Sequence, residues 1–192
     1  MIAAEAISEC DIAERIAELG ESIADDYRGL RPVLVCVLSG SLVFLADLIR
    51  RIPIECEIDF LGLTKFGEGG RVRVAMDTAT NLASRHVLIV EDIVDTGLTL
   101  RLLRRMMAER NCASLQTVSL LDRTTRRIVD VPIEYRGFEV GDEFLVGYGL
   151  DWKGEFRNLR SLWAILDFAS FAADPSVLLP IAEPARGDRL AP

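Results

Sequence analysis

VLIVEDIVDTGLT, Val87 to Thr99, is the stretch on which the reading of this 192-residue chain turns. A continuous apolar run, the pattern of a strand buried on both faces, ends abruptly in Glu91 and Asp92. Asp95 follows, and the chain then turns through Thr96-Gly97 into a segment with helical spacing. A buried strand can end in charge simply because it has reached solvent. That explanation does not cover three carboxylates followed at once by small residues with exposed backbone and hydroxyls.

In a parallel α/β sheet, ligands bind where the carboxyl ends of strands meet the helices that follow. Amides around Thr96, Gly97 and Leu98, at the start of the helix, would point outward unsatisfied and favour a phosphate. The hydroxyls of Thr96 and Thr99 add donors, and Gly97 lets the backbone come close without a Cβ in the way. Glu91 and Asp92 are acceptors suited to the vicinal hydroxyls of a ribose, which leaves Asp95 free at the mouth of the loop.

The flanking sequence supports such a sheet. Ser8-Glu9-Cys10-Asp11 has capping-box spacing, and Ile12, Ile16, Leu19 and Ile23 recur at helical intervals towards Tyr27. Val33–Leu38 is a second buried strand, Ser39-Gly40-Ser41 a turn, and LVFLADLIRR a second helix stopped near Pro53. IECEIDFLGL alternates as a half-buried strand, and Val72, Val74 and Met76 restart that alternation after a glycine-rich turn. LRLLRRMMAER and SLQTVSLL continue as helix and strand. The order predicts an α/β fold, a mainly parallel central sheet flanked by helices. Beyond Asp130 the pieces are short, aromatic and glycine-rich, which predicts a small hood over 130–165 together with an N-terminal part. One domain over 1–173 is expected, followed by an Ala/Pro-rich surface tail over 174–192, whose RGDRL cluster is given no function.

Composition narrows the partners. A formal charge of -8 leaves no overall basic field for nucleic acid, although a local nest of amides can still hold a small anion. The four cysteines are scattered without a CxxC pair, and His86 has no Cys or His neighbour, so neither points to a metal. No run approaches a membrane span and the start turns acidic too early for a secretory signal, so a cytoplasmic protein is expected. There is no GxxxxGK[ST] loop and no GxGxxG after a strand.

EDIVDTGLT resembles the PRPP-binding signature of the type I phosphoribosyltransferases. LSGSLVFLADLIR is similar to the pyrophosphate loop and helix of the hypoxanthine-guanine phosphoribosyltransferases, and VDVPIEYRGFEVGDEFLVGYGLDWKGEFRNL to their hood. The likeness spans about Ile12 to Ile165. It implies the type I phosphoribosyltransferase fold and transfer of the phosphoribosyl group of PRPP to N9 of a 6-oxopurine. Pyrophosphate is released, a nucleoside monophosphate forms, and Mg2+ assists. Matched position by position, Glu91 and Asp92 would hold the ribose hydroxyls, and Asp95 would take or share the purine N7 proton. Asp95, Thr96, Gly97, Leu98 and Thr99 would cradle the 5'-phosphate, with Ser39, Gly40 and Arg157 at pyrophosphate. Phe144 would stack on the base, with Leu145, Asp151 and Arg123 at its edge, and Glu91, Asp92 and Asp151 are the implied metal carboxylates. A homodimer or homotetramer is implied too.

In three places the chain departs from that family. Its pyrophosphate loop reads Leu-Lys-Gly where this chain has Leu38-Ser39-Gly40; its mobile loop carries Ser-Tyr where Lys65 and Phe66 stand; its purine-reading lysine is Arg123. In one reading the site is rewired and active: Lys65 supplies the charge lost at Ser39 and acts catalytically beside Asp95, while Arg123 donates to O6 or N7. In the other, the changes mark a paralogue with a different acceptor base, or a PRPP or nucleotide sensor.

Overall fold

The computed structural model describes residues 1–66 and 71–182, without the side chains of Lys65, Phe66, Arg71, Pro180 and Ile181. The elements in chain order are β1 (Ala3–Ile7), α1 (Glu9–Asp26), β2 (Val33–Leu38), α2 (Leu42–Leu48), β3 (Glu57–Phe66), β4 (Arg71–Met76) and β5 (His86–Val94). There follow α3 (Leu98–Ala108), β6 (Ser114–Asp122), β7 (Tyr135–Glu139), β8 (Phe144–Val146), β9 (Leu162–Ile165), α4 (Phe168–Ala173) and α5 (Leu179–Ala182). They divide into two compact units, one of residues 13–142 and one of residues 1–12 with 143–192.

The larger unit holds a six-stranded sheet in the order β4-β3-β2-β5-β6-β7. All its pairs are parallel except β3 with β4. Parallel strands covered on both faces must be apolar throughout, and Val33 to Cys36 and Val87 to Val90 are accordingly buried. Alternation sends Val33, Val35, Val37, Val87 and Ile89 to one face, where Leu100, Leu103 and Met107 of α3 close the core. Helix α1 begins as the spacing predicts: Ser8 Oγ accepts the Asp11 amide at 3.1 Å. Its apolar stripe buries Ile16, Leu19 and Ile23. Tyr27 at its end donates to Gln116 on β6 at 2.6 Å, and full burial of Ile23 alone contributes about 1.5–3 kcal/mol.

The smaller unit carries a three-stranded antiparallel sheet, β1-β9-β8. Trp163, Phe171 and Leu178 pack in its core with Ala3 and Val146. The hood expected over 130–165 begins later than its composition suggests. Tyr135–Glu139 is instead the parallel edge strand β7 of the larger sheet, tied down because the Tyr135 hydroxyl donates to Asp26 at 2.8 Å. Of the surface tail expected over 174–192, only 174–182 lies among the described residues. Pro175–Leu178 forms a short 3-10 turn, α5 follows it, and Leu178 is fully buried. An Ala/Pro-rich composition hides single buried apolar side chains of this kind. Residues 67–70 of the glycine-rich turn and the RGDRL cluster lie outside the described residues.

Candidate active site

Strand order reverses between β2 and β5: β3 lies on one side of β2, β6 on the far side of β5. Loops leaving the carboxyl ends of neighbouring strands diverge at such a switch point and open a crevice there. Here the loops are Ser39-Gly40, whose Leu38–Ser39 peptide is cis, and Asp95–Gly97 before α3. A cavity of about 290 Å³ opens against the second loop, lined by Val37, Glu91 to Gly97, Thr99 and Leu100. Gly97 adopts φ 82°, and a Cβ there would stand 2.7 Å from the Val129 carbonyl oxygen. Both facts require glycine. The loop is laced from below by the Ile128 and Val129 amides, which donate to the Thr96 carbonyl at 3.0 and 3.2 Å. Leu98 is half-exposed at the start of α3, and its amide meets Thr96 Oγ1 only at 3.4 Å, so the first turn retains free donor capacity.

The three carboxylates have different surroundings. Glu91 is 6 % exposed. Burial, with the negative Asp92 beside it, pushes its carboxyl well above the usual carboxylate range. Asp92 Oδ1 accepts the Ile93 amide at 2.7 Å. Its Oδ2 occupies the space a Cβ on Gly40 would fill, so the missing side chain lets the two loops meet. Asp95 Oδ1 is buried without a hydrogen-bond partner, while Oδ2 lies 3.7 Å from Arg123 Nη1 and 3.6 Å from Arg126 Nη1.

Arg123 is 7 % exposed and donates from Nε to the Gly141 carbonyl at 2.7 Å. The expected base reader is therefore anchored through Nε, with Nη1 turned towards Asp95. Sequence reading passed over two neighbours. Arg126 is the second cation on Asp95, and Arg127 pairs with the buried Asp122, its side chain packed under Gly97. Asp122 also takes Arg136 Nε at 2.6 Å. The signal was available in LLDRTTRR: a carboxylate closing a buried strand must be paired, and the arginines stand within five residues.

Lys65 pairs through its backbone with Val72 on β4; its side chain lies outside the described part of the chain. The smaller unit holds the other expected residues. Phe144 meets Trp152 and Phe168 edge to face, at centroid distances of 5.5 and 5.3 Å. Leu145 is buried on β8, in register with Ala164. Asp151 Oδ1 pairs with Arg157 Nη2 at 2.6 Å, and Arg157 also donates to the Gly149 carbonyl at 2.6 Å. Among the described residues no three His, Cys, Asp or Glu side chains converge as a metal cage, and no helix is long and apolar enough to cross a membrane. His86 is structural: Nδ1 lies 2.8 Å from Ser114 Oγ and the ring packs against Tyr27.

A parallel sheet whose switch point presents an anion-ready turn behind paired carboxylates defines a protein for sugar phosphates or nucleotides. The phosphoribosyl transferase domain model matches residues 5–153. A hypoxanthine phosphoribosyltransferase of Haemophilus influenzae is 44 % identical over 160 residues, covering 80 % of this chain and 89 % of that one. A hypoxanthine-guanine phosphoribosyltransferase of Streptococcus thermophilus is 40 % identical over 156 residues, covering 79 % and 87 %. The crystal structure of a hypoxanthine-guanine phosphoribosyltransferase from Bacillus anthracis aligns with TM-score 0.83 and 38 % identity over 86 % of this chain and 100 % of that one. A Trypanosoma cruzi hypoxanthine phosphoribosyl transferase structure aligns with TM-score 0.85 and 38 % identity over 92 % and 97 %. The chain belongs to the hypoxanthine-guanine phosphoribosyltransferase family.

Proposed function

We propose that this chain transfers the 5-phosphoribosyl group of PRPP to N9 of a 6-oxopurine, hypoxanthine or guanine, releasing pyrophosphate in purine salvage. The observation that carries the reading is the Glu91-to-Thr99 loop at the sheet's switch point, with an open cavity against it. The reaction builds positive charge on the sugar and negative charge on the leaving group, so positioning and electrostatics do most of the work. The turn at Thr96–Thr99 receives the 5'-phosphate, and Glu91 and Asp92 hold the ribose hydroxyls. Asp95 takes or shares the N7 proton, with Arg123 facing the base edge. Phe144, Leu145, Asp151 and Arg157 keep the base and pyrophosphate roles that family likeness assigns them.

Mg2+ belongs to the same reading. Carboxylate oxygens are suitable donors, and with no three-ligand cage among the described residues the ion would be held mainly by pyrophosphate oxygens of PRPP, with Asp92 and Glu91 contributing. Bound there, it neutralises charge on the departing pyrophosphate. Asp151 is the third carboxylate of this proposal. A cytoplasmic homodimer or homotetramer completes it, measurable by analytical ultracentrifugation. Lys65 is assigned the cationic role that Ser39 cannot fill. Turnover is expected to collapse in Lys65→Ala and to survive in Glu68→Ala, and full activity of Lys65→Ala would remove that role.

The deciding experiment measures pyrophosphate release from PRPP with Mg2+ over hypoxanthine, guanine, xanthine and adenine, with products identified by mass. Turnover with hypoxanthine or guanine is the expected result. Tight PRPP binding with no base-dependent release would make this a sensor instead, and turnover with adenine alone would reassign the acceptor.

A further inference from the structure

We infer that Arg126 is a positioning residue for Asp95, holding that carboxylate in place while Arg123 attends to the base; the inference rests on the transferase reading above. Asp95 is oriented through one oxygen only. Its Oδ1 is buried with no donor, so whatever fixes the carboxylate acts on Oδ2, and there two guanidinium groups stand at 3.7 and 3.6 Å.

The two arginines are not equivalent. Arg123 is buried and anchored by the Nε bond to Gly141, and family likeness turns its guanidinium to the purine. Any hydrogen bond it gives to a base acceptor weakens its hold on Asp95. Arg126 is about half-exposed, with 52 % of its side chain accessible, and it has a second anionic neighbour, Asp142 Oδ1 at 3.7 Å from Nε. Asp142 is itself fixed by the Thr125 hydroxyl at 2.7 Å. A guanidinium bracketed by two carboxylates keeps its place when Arg123 is drawn to the base. Asp95 then enters the reaction with its orientation preserved.

The test compares steady-state kinetics of Arg126→Ala, Arg126→Lys, Asp95→Asn and the Arg126→Ala/Asp95→Asn double variant. Misorientation of an acid or base group costs rate more than binding, so Arg126→Ala should lose about ten- to hundred-fold in kcat while KM for PRPP stays within about two-fold. Arg126→Lys, which retains a point charge, should recover most of that loss. In the Asp95→Asn background, Arg126→Ala should cost less than about two-fold further, because a residue acting through Asp95 has nothing left to position. Arg105→Ala, on the exposed face of α3, is the control expected to match wild type.

Unchanged or raised kcat in Arg126→Ala would overturn the role, as would full additivity with Asp95→Asn. Should Arg126→Ala fold poorly, Arg126→Lys against Arg126→Gln decides: an active lysine beside an impaired glutamine supports positioning, and equal activities overturn it. Absence of any transferase activity in the wild type would instead sink the parent reading.

Discussion

Gly40 shows how one missing side chain joins two loops. Asp92 Oδ2 fills the volume that a Cβ would occupy, so the Ser39-Gly40 turn and the β5 carboxylates share one space. Gly40→Ala must displace Asp92 or the turn. We expect a loss of about hundred-fold in kcat/KM for PRPP with a folded protein, read by pyrophosphate release and circular dichroism. Activity close to wild type would show that the loops separate at little cost. Gly97 is constrained differently, by φ 82° and by the Val129 carbonyl beneath it. At that position the restraint is conformational as well as steric.

At the scale of elements, the segment after β4 returns to the sheet through Asp59 on β3. Its carboxylate accepts the Thr80 amide and the Phe60 amide, each at 2.7 Å. Burial pushes this carboxyl up, but the bonds from Thr80, Phe60 and Ala79 outweigh that and leave it below its ordinary 3.8. A depressed native value means that Asp59 stabilises the fold fully above the unfolded value. The contribution is lost as pH falls below about 4 and through the lower native value. Asp59→Asn should therefore cost about 1–3 kcal/mol at neutral pH and show a shallower fall of Tm on acidification. A parallel Tm-versus-pH curve would refute the linkage. Arg110 ties the same segment to the end of α3, bonding Asp77 at 2.6 and 2.8 Å and Thr78 at 2.6 Å.

For the whole molecule, each of the two units has its own apolar centre. In the smaller one, Leu178 and Phe171 are fully buried. Leu178→Ala should destabilise by about 2–5 kcal/mol, measured from the urea midpoint; a neutral change would show that the turn at Pro175–Leu178 is dispensable. Divalent metal is predicted to serve chemistry and not folding, since the described residues build no metal cage of their own. EDTA should stop pyrophosphate release and leave Tm unchanged, with activity restored by Mg2+. A Tm that falls with chelation would reveal a structural ion.

Local pattern was enough for much of this. Val33–Leu38 and Val87–Val94 are legible as buried strands because a parallel sheet demands unbroken apolar runs. EDIVDTGLT is legible as a strand end turning into a helix because charge, small residues and helical spacing coincide within a few positions. Features that depend on residues distant in sequence were not legible. Tyr135 reads as part of a hood until its hydroxyl is found on Asp26, and Leu178 reads as tail until it is found buried. The fit of Gly40 to Asp92, and of Arg126 and Arg123 to Asp95, spans fifty-two, thirty-one and twenty-eight positions respectively. By itself the sequence determined the buried central strands, the turn into α3 and the three carboxylates at the end of β5, because propensity and periodicity act between near neighbours. Only the tertiary structure decided which charges face one another, because ion pairing and steric fit depend on distances that chain folding alone sets.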